Sequence, residues 1–162
     1  MRIYLFIMLL LVVQVSYAEE TLCTSKEKII FSCHVEKKII SLCRPSQEKQ
    51  SLIYRYGKLG HVELLYPSPG KASKAEFYRS TNPLYGGEDV NISFKRSTYE
   101  YSLYSKITRA DSDEHQESRE PVFEDGLTIF QSGKVLKQLV CDDGGEGFRE
   151  EIDWIPSQPL TK

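Results

Sequence analysis

The sequence predicts an all-β protein, a small antiparallel β-barrel or two-layer sandwich of about eight or nine strands, pinned by disulfides. Three observations lead to this prediction: hydrophobic residues recur with a period of two, turn residues recur at short intervals, and four cysteines are present. No long stretch has the 3.6-residue period of an amphipathic helix. Short alternating segments between turn residues are typical of sandwiches and barrels.

The alternation is clearest near the middle of the chain, where Val90, Ile92 and Phe94 are separated by polar residues. Half-buried strands of an antiparallel sheet have this pattern. β-Branched and aromatic residues, which favour strands, are frequent throughout. In chain order, the predicted strands are Ile29–Val35, Lys38–Cys43, Ser51–Tyr56, Val62–Tyr66, Glu76–Arg79, Asp89–Arg96, Tyr99–Lys106, Leu127–Gln131 and Val135–Cys141.

Residues that favour turns separate these segments. They are Gly57, Gly60, Pro67-Ser68-Pro69-Gly70, Asn82-Pro83, Gly86-Gly87 and Ser132-Gly133. Two segments do not follow the strand pattern. Thr108–Glu120 is polar and charged and is predicted to be a solvated loop. The tail after Cys141 is rich in glycine and acidic residues, and its Trp154 is predicted to fold back onto the sheet.

The N-terminus has the pattern of a cleavable secretory signal peptide. Arg2 supplies a positive charge, Ile3 to Val15 is almost entirely apolar, and Ser16-Tyr17-Ala18 places small residues before a cut after Ala18. An apolar run of about 13 residues is shorter than the roughly 20 that cross a bilayer core. We therefore expect residues 1–18 to be removed and residues 19–162 to form a single exported β domain.

The composition of the mature chain narrows the classes of partner. Its 144 residues suit one domain with a substantial core. Removing Arg2 leaves 20 basic against 23 acidic residues, a net charge of −3. That balance argues against a nucleic-acid binder. No second hydrophobic run follows, so no membrane insertion is expected after the signal peptide is cleaved.

The four cysteines all lie in the mature part of the chain: Cys23, Cys33, Cys43 and Cys141. An even number in an exported chain predicts two disulfides and no free thiol. Nine residues lie between each of the first three cysteines, a spacing that does not match a C-x-x-C metal site.

Three disulfide pairings are possible. A two-residue turn at Glu36-Lys37 would place Cys43 opposite Ile30 and within reach of Cys23. Cys33 would then lie in the middle of its strand, free to meet Cys141 at the end of the last strand. This arrangement favours Cys23–Cys43 together with Cys33–Cys141, and it leaves the other two pairings open.

Catalytic motifs are missing from the sequence. It contains no G-x-S-x-G, H-E-x-x-H, P-loop or G-x-G-x-x-G pattern. The acidic run around Asp142 and Asp143 does not have the spacing of a calcium-binding EF-hand loop. We therefore predict no enzymatic activity, no metal and no cofactor. The alternative is an unrecognised hydrolase that depends on His34, His61 or His115.

The segment Pro67–Ala75 is the candidate binding loop. It begins with prolines and glycine and carries small hydroxyl and basic residues, among them Ser73 and Lys74, with Tyr78 just beyond. A rigid loop with these groups can enter a cleft lined by carboxylates, such as the active site of a glycosidase. An ordinary basic hairpin loop is the alternative interpretation.

Several short motifs resemble those of a set of small, largely uncharacterised exported proteins of Gram-negative bacteria. The likeness covers most of the mature chain and implies a periplasmic location, but it implies no activity. Members usually have Asn-Gly at the first hairpin, where this chain has Glu36-Lys37. The matching motifs are Cys33, Ser41-Leu42-Cys43, Tyr54-Arg55-Tyr56-Gly57, Glu63-Leu64-Leu65-Tyr66-Pro67, Ile92-Ser93-Phe94-Lys95-Arg96, Tyr99-Glu100-Tyr101-Ser102-Leu103, Gly126-Leu127-Thr128-Ile129 and Leu139-Val140-Cys141.

Ala72-Ser73-Lys74-Ala75, with Tyr78 following, is more weakly similar to the loop of bacterial inhibitors of C-type lysozyme. In that family a glycine stands where this chain has Lys74. The resemblance implies a small periplasmic β-barrel whose loop enters the enzyme cleft, with Ser73 and Lys74 as the residues that bind it.

Together these features predict a non-enzymatic periplasmic binding protein with a protein partner. The leading hypothesis is an inhibitor of a cell-wall hydrolase or an immunity protein against a toxin. The charged loops between strands support it, because recognition is usually carried by loops on a rigid scaffold. A structural protein that maintains the envelope is a further alternative.

Overall fold

The computed structural model describes residues 20–68, 76–109, 121–144 and 146–158. Within these residues the chain forms two antiparallel sheets and no helix, which confirms the all-β class. No described segment is therefore a helix long and apolar enough to span a membrane. The four-stranded sheet has the order β1(Glu27–Val35), β2(Lys38–Pro45), β3(Ile53–Lys58) and β4(His61–Tyr66). The five-stranded sheet has the order β5(Phe77–Leu84), β6(Gly87–Arg96), β7(Tyr99–Arg109), β8(Pro121–Gln131) and β9(Lys134–Val140).

Every predicted strand is present, and seven of the nine are longer than predicted. The prediction of a turn at Asn82-Pro83 is wrong, because both residues lie inside β5. Proline is tolerated there because β5 is at the edge of its sheet, where a missing backbone N–H need not break a ladder. Thr108 and Arg109 were predicted to be in a loop, yet they extend β7 by pairing with the first residues of β8. Residues 110–120 of that predicted loop lie outside the described residues.

The first hairpin turns at Glu36-Lys37, as the sequence predicts, with Val35 opposite Lys38. Its register shifts at Ile30, however. Phe31 pairs with Leu42, but Ile29 rather than Ile30 pairs with Cys43. A β-bulge inserts one extra residue into a strand, so the predicted partner of Cys43 is wrong by one position.

Two disulfides are formed, Cys23–Cys43 and Cys33–Cys141, with Cα–Cα distances of 5.5 and 5.6 Å. This is the pairing that the hairpin arrangement favoured. The first bond holds the segment before β1 against the four-stranded sheet. The second joins β1 to the end of β9 and so connects the two sheets. Stable disulfides indicate an oxidising compartment.

Side chains from both sheets form one hydrophobic core, and Phe94 on β6 lies at its centre. The Phe94 ring centroid lies 4.4 Å from that of Tyr66 and 4.9 Å from that of Tyr54, both on the four-stranded sheet. It lies 5.0 Å from Tyr101 and 5.4 Å from Phe77 within its own sheet. Aromatic pairs of this kind contribute about 0.5–1.5 kcal/mol beyond the area that they bury. Phe94 therefore links the two sheets through its contacts with the rings of Tyr54 and Tyr66.

The C-terminal tail, residues 142–158, first follows the free edge of β1. The Asp142 N–H donates to the His34 carbonyl at 2.8 Å, and the Arg149 N–H donates to the Ile30 carbonyl at 2.9 Å. These bonds use backbone groups that an edge strand would otherwise leave unpaired. The tail therefore covers one edge of the four-stranded sheet.

Further on, the tail reaches β5 at the edge of the other sheet. The Arg79 N–H donates to the Pro156 carbonyl and the Gln158 N–H donates to the Arg79 carbonyl, both at 2.8 Å. Ile155 is only 2% exposed, and the half-buried Trp154 packs against the core. The tail thus folds back onto the sheets, and it covers one edge of each.

Tyr54 is a test of the core, because its fully buried hydroxyl has no hydrogen-bond partner among the described residues. An unsatisfied buried polar group costs about 1–3 kcal/mol. We expect Tyr54→Phe to leave the free energy of unfolding unchanged or to raise it by up to about 1 kcal/mol, measured by urea denaturation.

The matched control is Tyr104→Phe. Its buried hydroxyl accepts a hydrogen bond from Gln138 Nε2 at 3.2 Å, so its loss should cost about 1 kcal/mol. A larger loss for Tyr54→Phe than for Tyr104→Phe would contradict this account.

The two disulfides should differ in their effect on stability, because they close loops of different length. Cys23–Cys43 spans 20 residues and Cys33–Cys141 spans 108. In the chain-entropy model, loops of these lengths give about 3 and about 5 kcal/mol. We expect Cys33→Ala with Cys141→Ala to lower the free energy of unfolding more than Cys23→Ala with Cys43→Ala. Equal losses of unfolding free energy, or a larger loss without Cys23–Cys43, would show that loop entropy is not the main source of the stabilisation.

Candidate functional site

The predicted binding loop is part of the connection between the two sheets. This sheet-to-sheet connection, residues 67–76, runs from the end of β4 to the start of β5. Ser73 and Lys74 lie outside the described residues. Tyr78 is described: it lies half-buried on β5, two residues beyond the connection. Its hydroxyl donates a 2.7 Å hydrogen bond to Glu76 Oε2, and this bond raises the pKa of Tyr78.

A cleft of about 640 Å³ opens beside this connection, and we call it the connection cleft. Its walls come from the segment leading into β3, from both ends of the connection, and from the C-terminal tail. Tyr78 is one of its lining residues. Ligand sites in proteins have volumes of about 300–1,000 Å³, so the cleft is large enough to hold part of a partner.

The floor of the connection cleft is apolar and rigidly held. Leu52, Phe77 and Ile155 line it and also belong to the buried core. Trp154 forms one wall, and its indole N–H donates to the Glu151 carbonyl at 2.9 Å. The Arg44 guanidinium lies 6.0 Å from the centre of the Trp154 ring. These contacts fix the orientation of the indole.

Two carboxylates, Glu48 and Glu76, lie at the exposed rim of the cleft. Glu48 accepts a 2.9 Å hydrogen bond from the Ser51 hydroxyl. Glu76 accepts the hydrogen bond from Tyr78. In the part of the chain that the structure describes, neither carboxylate forms an ion pair with a basic side chain. Both carboxylates are therefore available to pair with a basic group from outside the described chain.

The guanidinium of Arg55, which also lines the cleft, is neutralised by Glu27. Two parallel hydrogen bonds of 2.8 and 2.9 Å join them, and their side chains are only 13% and 7% exposed. Burial raises the pKa of Glu27, but the hydrogen bonds from Arg55 and from the Thr24 N–H outweigh it, so the pKa is lowered overall. The described residues at the rim of the cleft consequently carry a net negative charge.

A second cleft, of about 1020 Å³, lies between the five-stranded sheet and the tail. Its larger volume does not make it the better candidate, because several of its carboxylates bind groups of the protein itself. Asp125 is 2% exposed and accepts a 2.6 Å hydrogen bond from the Gly147 N–H. Burial raises the pKa of Asp125. Glu150 pairs with Lys28 and Arg44, so this cleft holds the tail in place.

Each ring nitrogen of His34 lies within hydrogen-bonding distance of a carboxylate. Nε2 lies 3.0 Å from Glu20 Oε2, and Nδ1 lies 3.1 Å from Asp143 Oδ2. Asp143 also accepts the His34 backbone N–H, so this acidic residue binds β1. His61 is exposed at the start of β4, and His115 lies outside the described residues. His34 therefore joins the segment before β1 and the start of the C-terminal tail to β1.

The stability of the protein should depend on the protonation of His34. Hydrogen bonds to Glu20, and then to Asp143, raise the pKa of His34 above its ordinary value. The stabilisation is complete below the unfolded pKa of about 6.5 and is lost as the pH rises through the higher folded pKa. We expect His34→Gln to reduce the decline in unfolding free energy between about pH 6 and pH 8 by roughly 0.5–1 kcal/mol, measured in urea.

The control for this effect is His61→Gln, since His61 is exposed and forms no ion pair among the described residues. That variant should keep the pH dependence of the unaltered protein. If His34→Gln also keeps it, the two carboxylates do not stabilise the imidazolium ion.

Several cleft residues were not found from the sequence. Leu52 lies in a predicted strand and Ile155 in the tail, and no pattern in the sequence points to Glu48. The one usable signal was Ile152, Trp154 and Ile155 in an otherwise polar tail, which indicated burial but not which surface they would meet.

Comparison with protein-family models, with curated proteins and with solved structures finds no match for this chain. The geometry of the connection cleft and the chemistry of the adjoining segment therefore carry the functional argument.

Proposed function

We propose that this chain is a non-enzymatic periplasmic binding protein that inhibits a cell-wall hydrolase or neutralises a toxin. The observation that carries the proposal is the 640 Å³ connection cleft beside the segment with Ser73 and Lys74. The core residues in its floor keep its shape fixed. A surface that is already ordered loses less conformational entropy on binding a partner.

The proposed scaffold is a two-layer sandwich rather than a closed barrel. Two features support it: the sheets share the core around Phe94, and the ladders among the described residues stay within one sheet or the other. A sandwich leaves its connecting segments at the ends of the layers, where they can reach a partner. Recognition by loops on a rigid β-scaffold is common for this reason.

The proposed location is the periplasm, after residues 1–18 have been removed. The two disulfides support an oxidising compartment, and the N-terminal pattern supports export. Cell-wall hydrolases and incoming toxins are partners that a protein meets in that compartment. The resemblance to exported proteins of Gram-negative bacteria and to lysozyme inhibitors points in the same direction.

In the proposed mode of inhibition, the sheet-to-sheet connection enters the active site of the hydrolase. Glycosidases place a pair of carboxylates around the scissile bond. The Lys74 ammonium would pair with such a carboxylate, and the Ser73 hydroxyl would supply a hydrogen bond. Tyr78 lies beside the base of this segment, with its hydroxyl directed at Glu76. No bond is made or broken, so inhibition is competitive and reversible.

The test is to incubate the exported, processed protein with periplasmic extract and with purified lysozymes. We expect capture of a hydrolase or toxin at micromolar concentration and competitive inhibition of its activity. Ser73→Ala with Lys74→Ala removes a hydroxyl and an ammonium, and it should raise the inhibition constant by about tenfold or more.

The matched control is Lys134→Ala with Lys137→Ala, which removes exposed lysines from β9. This variant should inhibit as well as the unaltered protein. Unchanged inhibition by the Ser73/Lys74 variant would place the binding site elsewhere. Failure to capture any partner at micromolar concentration would refute the proposed function.

A further inference from the structure

We propose that the connection cleft binds an extended apolar segment of the partner protein that carries a lysine or arginine side chain. This inference rests on the proposed function for the existence of a protein partner. It adds the chemistry of the partner, which follows from two features of the cleft: an apolar floor and a rim of unneutralised carboxylates.

The apolar floor selects for an apolar chain segment. Leu52, Phe77 and Ile155 are each more than 90% buried, so they are held by the core and turn only part of their surface toward the cleft. The indole N–H of Trp154 is already bonded to the Glu151 carbonyl, which leaves the ring to make apolar contacts. Burying apolar side chains against these surfaces removes both from water.

The rim selects for positive charge. Glu48 and Glu76 each accept one hydroxyl hydrogen bond, while a carboxylate has room for about four. Arg55 does not neutralise these two carboxylates, because its guanidinium already donates two hydrogen bonds to Glu27. The negative rim also disfavours nucleic acids and other phosphate-bearing partners.

Lysine and arginine satisfy both demands with one side chain. Their aliphatic stems lie along apolar surface while the charged head reaches polar groups at its edge. The volume of 640 Å³ is larger than one side chain occupies, so apolar residues near the basic one also enter. An extended segment allows this because it places side chains two residues apart on the same face.

The chain contains a single tryptophan, Trp154, and it lines this cleft. Its fluorescence therefore reports occupancy of the cleft directly, without a label. The probes are three synthetic peptides of the form acetyl-Pro-Leu-X-Leu-Pro-amide, with arginine, glutamine or glutamate as X. We expect the emission of Trp154 to shift on titration with the arginine peptide, to change less with the glutamine peptide, and to stay constant with the glutamate peptide.

Glu48→Gln with Glu76→Gln removes the rim charge and keeps the side-chain size. This variant should bind the arginine peptide about threefold to tenfold more weakly and bind the glutamine peptide as before. Glu36→Gln with Glu88→Gln is the matched control, because both residues are exposed and neither lines the cleft. It should bind all three peptides as the unaltered protein does.

Four results would overturn the inference. The first three are no change in Trp154 emission up to millimolar peptide, equal affinity for all three peptides, and equal weakening in the control variant. A Trp154 emission that depends on protein concentration, with a dimer in sedimentation, would assign the cleft to a second copy and also overturn it.

These outcomes are separate from the test of the proposed function. If a hydrolase or toxin is captured but no peptide binds, the inference is wrong and the proposed function stands. If the arginine peptide binds as expected but no hydrolase or toxin is captured, the proposed function is wrong and the chemistry of the cleft stands.

Discussion

The Cys33–Cys141 disulfide is the constraint on which the rest of the structure depends. It joins β1 of one sheet to the end of β9 of the other, so residues 108 positions apart in the chain are fixed side by side. The tail starts from this point and extends along β1 and on to β5. A tail anchored at its start loses less entropy when it docks, because its first residues are already in place. Trp154 and Ile155 reach the connection cleft only because the tail follows this path.

The core and the charged groups have different roles in this arrangement. Phe94 contacts four aromatic rings, and the two that belong to the other sheet, Tyr54 and Tyr66, hold the sheets together. The charged groups join separate chain segments: His34 contacts Glu20 and Asp143, Arg55 pairs with Glu27, and Glu150 pairs with Arg44. The carboxylates of Glu48 and Glu76 differ from these, because no basic side chain among the described residues neutralises them. Unpaired charges at the rim of an apolar cleft are more typical of binding surfaces than of groups that stabilise a fold.

The described rim of the connection cleft and the sequence of the sheet-to-sheet connection carry opposite charges. The cleft has an acidic rim, while the connection includes Lys71 and Lys74 in its sequence. A surface with adjacent charges of both signs favours a partner with the complementary arrangement and disfavours others. The two sites would thus act as one surface, in which the connection supplies cations and the cleft receives one. Specificity of this kind needs no catalytic group.

The sequence by itself determined the all-β class, the approximate place of all nine described strands, and the first hairpin. These features follow from the alternation of neighbouring residues and from turn chemistry, which are local. It also led to the favoured cysteine pairing, because a hairpin places Cys43 near Cys23. Only the tertiary structure decided where β5 ends, because Pro83 is tolerated at a sheet edge and edge position is not encoded locally. The connection cleft likewise needed the structure. Glu48 and Trp154 are separated by more than half of the chain. The periodicity of a sequence is local, so it does not predict which distant segments the folded tail will contact.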